Sequence, residues 1–347
     1  MMAKLGKIEP HLFDAYISGR CGAARPEVIA GPQFGVDVAL VDLPAGMAMA
    51  LTSDPLSLIP SLGLQESAWL SVQLMANDMA TTGFAPQYGQ FVLNLPATFS
   101  KNDFKTYWQH IDTFCKEIGI AITGGHTGFI EGQNSTIAGG GTFITVAPKD
   151  EILLSKYAQP GDAILVTKSA ALSASAILAL SFPETVKNKA GAEVYQKACA
   201  SFYDTSCLKD ALTAKSTGYI TAMHDVTEGG VLGAIYEMAS ASGHGAVVYA
   251  DRLPVDSVQS AVCRVFGLDP KCCIGAGALV ITCKKANVSS VIKALGKEGI
   301  ACTEVGEVVP VQQGITRVDG GVPSALTYQE EDPYWAAFFN AYKNGWK

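Results

Sequence analysis

No Cys-x-x-Cys pair occurs anywhere in this 347-residue chain, which removes zinc knuckles and thioredoxin-type dithiol sites. No run of about 18 apolar residues occurs either, so no membrane-spanning helix is expected. The first residues, MMAKLGKIEPHLFDAY, lack the continuous apolar stretch of a secretory signal. Charge is sparse, at 16% of residues, and the balance is −7. Binding to a phosphate backbone needs a surplus of Lys and Arg, so a nucleic-acid partner is not expected. The nine scattered cysteines read as reduced thiols of a cytoplasmic protein.

Several catalytic signatures are missing as well. There is no G-x-x-x-x-G-K-[ST] phosphate cradle and no G-x-G-x-x-G opening a helix after a strand. G-x-S-x-G and H-E-x-x-H are absent too, which argues against serine hydrolases and zinc peptidases.

What is present is a sizeable apolar fraction, 48%, punctuated by 35 glycines at the ends of candidate elements. VDVALVDL (36–43) and MAMALTSD (47–54) read as strands joined in a hairpin across PAG. Residues 66–82 carry a helical apolar stripe, and 100–119 form an amphipathic helix closed by Gly119. Strands follow at 87–96, 120–125 and 135–148. After a Pro-Gly turn the pattern restarts with a strand within 158–170 and helices at 171–181 and through 190–215. A strand and turn at 219–227 lead into a helix at 229–242. Strands at 245–250 and 276–283, a helix at 286–298 and a strand near 302–309 complete the set. This is an α+β chain of two domains, 36–150 and 158–315. An N-terminal segment, 1–35, precedes them and a C-terminal tail, 316–347, follows, whose aromatic stretch, 328–347, is expected to dock as a terminal helix.

The chemistry-bearing residues are acids at element ends. Asp37 follows a glycine loop, and Asp54 ends a strand. Asn77 and Asp78 interrupt an apolar helix, and Asp225 and Glu228 lie in HDVTEGG. Each has a plain structural alternative. Asp54 before Pro55 suits a turn, Gly124-Gly125 a tight bend, and Asp225 or Thr227 a helix N-cap. One of Asn77 and Asp78 can simply face solvent. His126 and His224 lack the spacing of a metal pair and read as satisfied polar groups. Taken together, carboxylates from distant segments converge only around something cationic. An all-oxygen set favours Mg²⁺ or Mn²⁺ over zinc. Backbone amides at Gly124, Gly125 and the helix start after Gly229 offer places for phosphate oxygens.

The ordered set GVDVALV, TSDP, NDMATTGFAP, ITGGHTG and HDVTEGGVLGAIYEMA resembles the AIR synthase superfamily, and most closely its HypE-like branch. The resemblance spans about residues 30–315. It implies an N-terminal domain whose strands join a second copy's in a dimeric β-barrel, with an α+β domain beside it. It implies ATP and Mg²⁺ in the cleft and phosphoryl transfer to an oxygen of a small or protein-borne acceptor. By position, Asp37, Asp54, Asp78 and Asp225 correspond to the metal- and phosphate-holding carboxylates, with Asn77 assisting. Gly124, Gly125, His126 and Thr127 match the ATP-contacting turn. Thr227, Glu228, Gly229 and Gly230 flank Asp225 in the second domain's motif. Asp78, Asp225 and His126 are the expected catalytic residues. Two departures stand out. Val36 replaces a further acid, and the sequence ends YKNGWK without the C-terminal cysteine of cyanide-forming HypE proteins. They motivate an alternative, a nucleotide-binding maturation or regulatory protein without turnover.

Overall fold

Alternation of buried and exposed side chains along Met47–Ser57, Tyr88–Pro96 and Ile137–Pro148 builds one sheet with one face covered. The computed structural model describes residues 6–347; the first five residues of the expected N-terminal segment lie outside them. In the first domain the strands are β1 (Val28–Ala30), β2 (Ala39–Asp42), β3 (Met47–Ser57), β4 (Tyr88–Pro96), β5 (Ala121–Ile130) and β6 (Ile137–Pro148). They form a six-stranded sheet ordered β1-β2-β3-β6-β4-β5. Helix α1 (Pro10–Tyr16) precedes it. Helices α2 (Leu64–Ala80) and α3 (Lys101–Glu117) supply Val72, Met75, Met79, Tyr107 and Ile111 to a core shared with Leu40, Phe91 and Phe143 of the sheet. The hairpin expected across PAG is present, with Asp42 opposite Ala48.

Two features of this sheet depart from the sequence reading. The expected strand at 36–43 begins only at Ala39, leaving Gly31–Val38 as a loop toward the second domain. The strand expected to stop at Gly125 instead runs through GGHTG to Ile130, parallel to β4. Gly125 has φ +146°, and a Cβ there would lie 1.8 Å from the Phe91 carbonyl oxygen. Glycine is therefore what lets β5 pair so closely, not a sign of a turn.

The second domain holds β7 (Asp162–Thr167), β8 (Ile220–Asp225), β9 (Gly245–Tyr249), β10 (Leu279–Lys284), β11 (Cys302–Val309), β12 (Ile315–Asp319) and β13 (Val322–Ala325). Their order is β13-β12-β9-β11-β7-β10-β8. Every residue of β7 is buried, because helices cover both faces of this sheet. Ile164 and Val166 face α8 (Gly230–Ser242), while Ala163 and Leu165 face α7 (Leu208–Ser216) and α10 (Val288–Lys297). A third cluster joins α4 (Leu172–Ser181), α5 (Pro183–Ala190), α6 (Ala192–Ala200), α9 (Ser257–Val265) and α11 (Pro333–Lys343) to Leu62 and Leu70 of the first domain. The tail docks through Tyr334 and Phe338 as expected. The hairpin β12–β13 and helix α9 had no sequence counterpart. All nine cysteines are free thiols. No helix among the described residues is long and apolar enough to cross a membrane.

Candidate functional site

The loop 31–37 lies against α8 because residue 35 is glycine. Its φ is +73°, and a Cβ would sit 2.4 Å from the Glu237 carbonyl oxygen. Gln33 also donates to the Ala241 carbonyl at 3.2 Å, and Phe34 packs edge-on against Tyr328. These contacts carry Asp37 across the domain boundary. Asp54 arrives from β3, opposite Gly141 of β6. Asp78 projects from the last turn of α2, where it accepts a hydrogen bond from Thr52 Oγ1 at 2.7 Å. Asp225 is the final residue of β8. All four line one cavity of about 540 Å³, together with Lys7 and Thr227.

Their electrostatics follow from crowding. Burial and then the neighbouring Asp225, Asp54 and Asp37 carboxylates hold the Asp78 carboxyl well above the usual range. Burial and Asp37 raise Asp225 to about 7, against the opposing pull of His224 and Lys7. Burial raises Asp54 to about 6, again opposed by Lys7. One oxygen of Asp225, Oδ2, is buried without a hydrogen-bond partner. One ligand atom each from Asp37, His224 and Asp225 lies within 4.8 Å of the others. A buried orphan oxygen amid mutually repelling carboxylates is the donor set that a hard divalent cation satisfies, and the residues present fit Mg²⁺.

Protein cations now partly fill that role. Lys7 Nζ donates to Thr227 Oγ1 at 2.8 Å and lies 3.6 Å from Glu237 Oε2. Partial loss of water works against the charge of this half-exposed side chain, but Glu237, Asp225 and Asp37 outweigh it and raise its pKa. His224, buried at the end of β8, has Asp37 Oδ2 at 2.9 Å from Nδ1 and Glu237 Oε2 at 2.9 Å from Nε2. Burial would lower the pKa of its ring; the two carboxylates raise it instead. Burial likewise opposes ionisation of Glu237, yet Lys7 and His224 bring it down to about 2. The reading of His224 as a satisfied polar group agrees with these bonds.

Other expected site residues are placed differently. Asn77 is fully buried; its Nδ2 donates to the Thr205 carbonyl at 2.9 Å and its Oδ1 accepts from Cys207 N at 2.8 Å. Its amide is consumed in tying α2 to the second domain, so it does not assist the carboxylates. Three amides at the start of α8 are also taken. Gly229 N donates to Asp332 Oδ2 at 2.7 Å, Leu232 N to the Lys271 carbonyl and Gly230 N to the Thr227 carbonyl. These three are not open phosphate donors. Glu228 accepts from Lys7 N at 2.8 Å at the cavity's edge. Gly124, Gly125, His126 and Thr127 are exposed on the edge strand β5, and none lines the cavity. Within one chain, His126 therefore stands apart from Asp78 and Asp225.

Residues 35–146 match the family described as AIR synthase related protein, N-terminal domain, and residues 159–319 match its C-terminal domain. The chain belongs to the AIR synthase superfamily. Within that superfamily it is HypE-like. It is 28% identical over 293 residues to carbamoyl dehydratase HypE of Cupriavidus necator, covering 79% of this chain and 77% of the relative. The fold is similar to that of a HypE in the HypE–HypF complex, at 20% identity and TM-score 0.69, covering 91% of this chain and 98% of that one. It is also similar to HypE in complex with ATP, at 19% identity and TM-score 0.68, covering 95% and 98%. The two-domain, mixed α/β architecture is that of AIR synthase relatives; the first sheet, on its own, is open rather than a closed barrel.

Proposed function

We propose that the cavity between the domains binds Mg²⁺ and ATP, and that the protein is an enzyme transferring a phosphoryl group to an oxygen of a small or protein-borne acceptor. The observation that carries this reading is the convergence of Asp37, Asp54, Asp78 and Asp225, with one buried oxygen of Asp225 left unpaired. Similarity to a HypE bound to ATP supports the nucleotide, and similarity to a HypE bound to HypF supports a protein-borne acceptor. When bound, the divalent cation supplies neutralisation for the triphosphate charge. The chain's own residues do the rest. Asp78 and Asp225 fix the cation's place, Asp54 and Asp37 close the set from the first domain, and the Lys7 ammonium and Thr227 hydroxyl face the same space. No nucleophilic side chain is needed, because such transfer rests on positioning and charge.

Homodimerisation belongs to the same proposal. An unpaired edge strand needs cover, and β5 offers one with Phe129 and Ile130 exposed, beside Tyr88 and Val92 of β4. A second copy joined along these strands into a shared barrel would also bring Gly124, Gly125, His126 and Thr127 to its partner's nucleotide. A reading without turnover, a nucleotide-binding maturation or regulatory protein, is favoured by Val36 at the cavity wall where the family carries a further acid.

The test is nucleotide binding and ADP release with Mg²⁺, using amide and carboxylate acceptors, in wild type and Asp78→Asn. Turnover lost in the variant supports the enzyme. Binding without turnover for any acceptor supports the alternative, and no Mg²⁺-dependent binding overturns both. Light scattering at micromolar concentration checks the dimer, which a monomer's mass would refute.

A further inference from the structure

Asp37 is an isolated loop carboxylate whose support comes from outside its own domain. Both hydrogen bonds to it end on Oδ2: His224 Nδ1 at 2.9 Å, and Ser155 Oγ at 3.3 Å from the connection between the domains. Oδ1 has no such bond among the described residues. His224 is 1% exposed and cannot turn freely, because its other nitrogen is held by Glu237 Oε2 at 2.9 Å. Glu237 is in turn fixed by Tyr328, which donates to Oε1 at 3.1 Å. Tyr328, Glu237, His224 and Asp37 thus form one continuous chain of bonds from the tail, through α8 and β8, to the first domain.

We propose that His224 and Glu237 are positioning residues for the cation site. His224 is a strut that fixes Asp37 by one oxygen and leaves the other for the ion, and Glu237 aims the strut. The proposal rests on the reading of Asp37 as a cation ligand given above. The physical reason is the cost of order. Four like-charged carboxylates repel, and an untethered loop aspartate swings out to solvent rather than join them. A ligand held by a partner that is itself held keeps its geometry before the ion arrives. Losing such outer partners typically costs roughly 10–100-fold in metal affinity. The strut stands on the second domain and the ligand on the first. Cation affinity therefore reads out how the two domains sit together.

The experiment measures Mn²⁺ affinity of the full-length protein by the EPR signal of free Mn²⁺, without turnover. Melting temperature serves as the fold control and Asp78→Asn as the control on the cation reading. His224→Leu is expected to weaken Mn²⁺ roughly 10-fold or more. His224→Asn keeps a donor where Nδ1 stands and is expected to restore affinity to within about 3-fold of wild type. Glu237→Gln, which keeps the shape and replaces the ring's charged acceptor with a neutral amide, should weaken binding roughly 3–10-fold. Wild-type affinity in His224→Leu, with binding abolished in Asp78→Asn, overturns the strut and leaves the cation reading intact. Equal losses in His224→Leu and His224→Asn overturn it too. If His224→Leu does not fold, unchanged affinity in Glu237→Gln refutes the proposal. Absence of Mn²⁺ binding in wild type sinks both this proposal and the reading beneath it.

Discussion

Thr52 Oγ1 donates to Asp78 Oδ2 at 2.7 Å, and among the described residues this is the one hydroxyl bond to a carboxylate that Asp225, Asp54 and Asp37 crowd. It does not offset burial and the field of Asp225, Asp54 and Asp37. Asp78 is therefore a residue kept at the expense of stability. Asp78→Asn retains an acceptor for Thr52 and needs no proton to sit beside Asp225, Asp54 and Asp37. Chemical denaturation of the ion-free variant should show a gain of about 1–2 kcal/mol, while stabilisation by added Mg²⁺ and ATP disappears. An ion-free variant less stable than wild type would contradict this account.

The acids also set a pH dependence. Asp54 at about 6, Asp225 at about 7 and Asp78, also held well above the usual carboxylate range, keep protons in the folded chain that the unfolded chain has already released. The folded state then binds more protons between roughly pH 4 and pH 7, so its stability falls as pH rises through that window. His224, raised above its ordinary value, adds loss of the same sign at higher pH. Glu237 at about 2 acts oppositely, but only below its ordinary range near 4.5. Melting curves without metal should peak near pH 4 and decline toward pH 8. Millimolar Mg²⁺ should flatten the decline; an unaltered slope would argue against ion binding at these carboxylates.

Asn77 ties the domains. Asn77→Ala leaves the Thr205 carbonyl and the Cys207 amide unpaired in a buried place. The expected cost is about 2–4 kcal/mol in urea unfolding. Affinity for Mn²⁺, measured well below the midpoint, should stay near that of wild type, since the amide touches no carboxylate of the cavity. A selective loss of Mn²⁺ affinity with normal stability would return Asn77 to the ion site.

Lys7 competes with the ion. Its ammonium interacts with Glu237, Asp225 and Asp37, and removing it leaves the cavity more negative. Lys7→Ala should bind Mn²⁺ roughly 3–10-fold more tightly in isothermal titration without nucleotide. Weaker binding would mean that Lys7 orders the site instead of screening it.

Much of this arrangement is legible in the residues themselves. Asp78 stands out because a charge in an apolar helix must be paired or exposed. Asp37, Asp54 and Asp225 share its logic at element ends, and all four meet in one cavity. Glu237 carries the same signal, an acid within the apolar run VLGAIYEMA, and the same argument applied to α8 finds it. Lys7, Tyr328 and Asp332 carry no local mark, since their roles arise from long-range packing that periodicity does not encode. Glycine misled in one place. At Gly125 it serves close strand pairing, whereas a doublet in sequence looks the same as a bend. Helix α9 and the β12–β13 hairpin are short elements whose identity depends on the surfaces they cover.

The carboxylate of Asp332 on the Gly229 amide bears on inhibitor design. A tethered group competes at an effective concentration of order millimolar. A free anion seeking that amide must displace it, and competes only at concentrations above that. Compounds built outward from the acid-lined cavity toward Lys7 meet a rival of the same kind, because Thr227 and Glu237 already engage its ammonium.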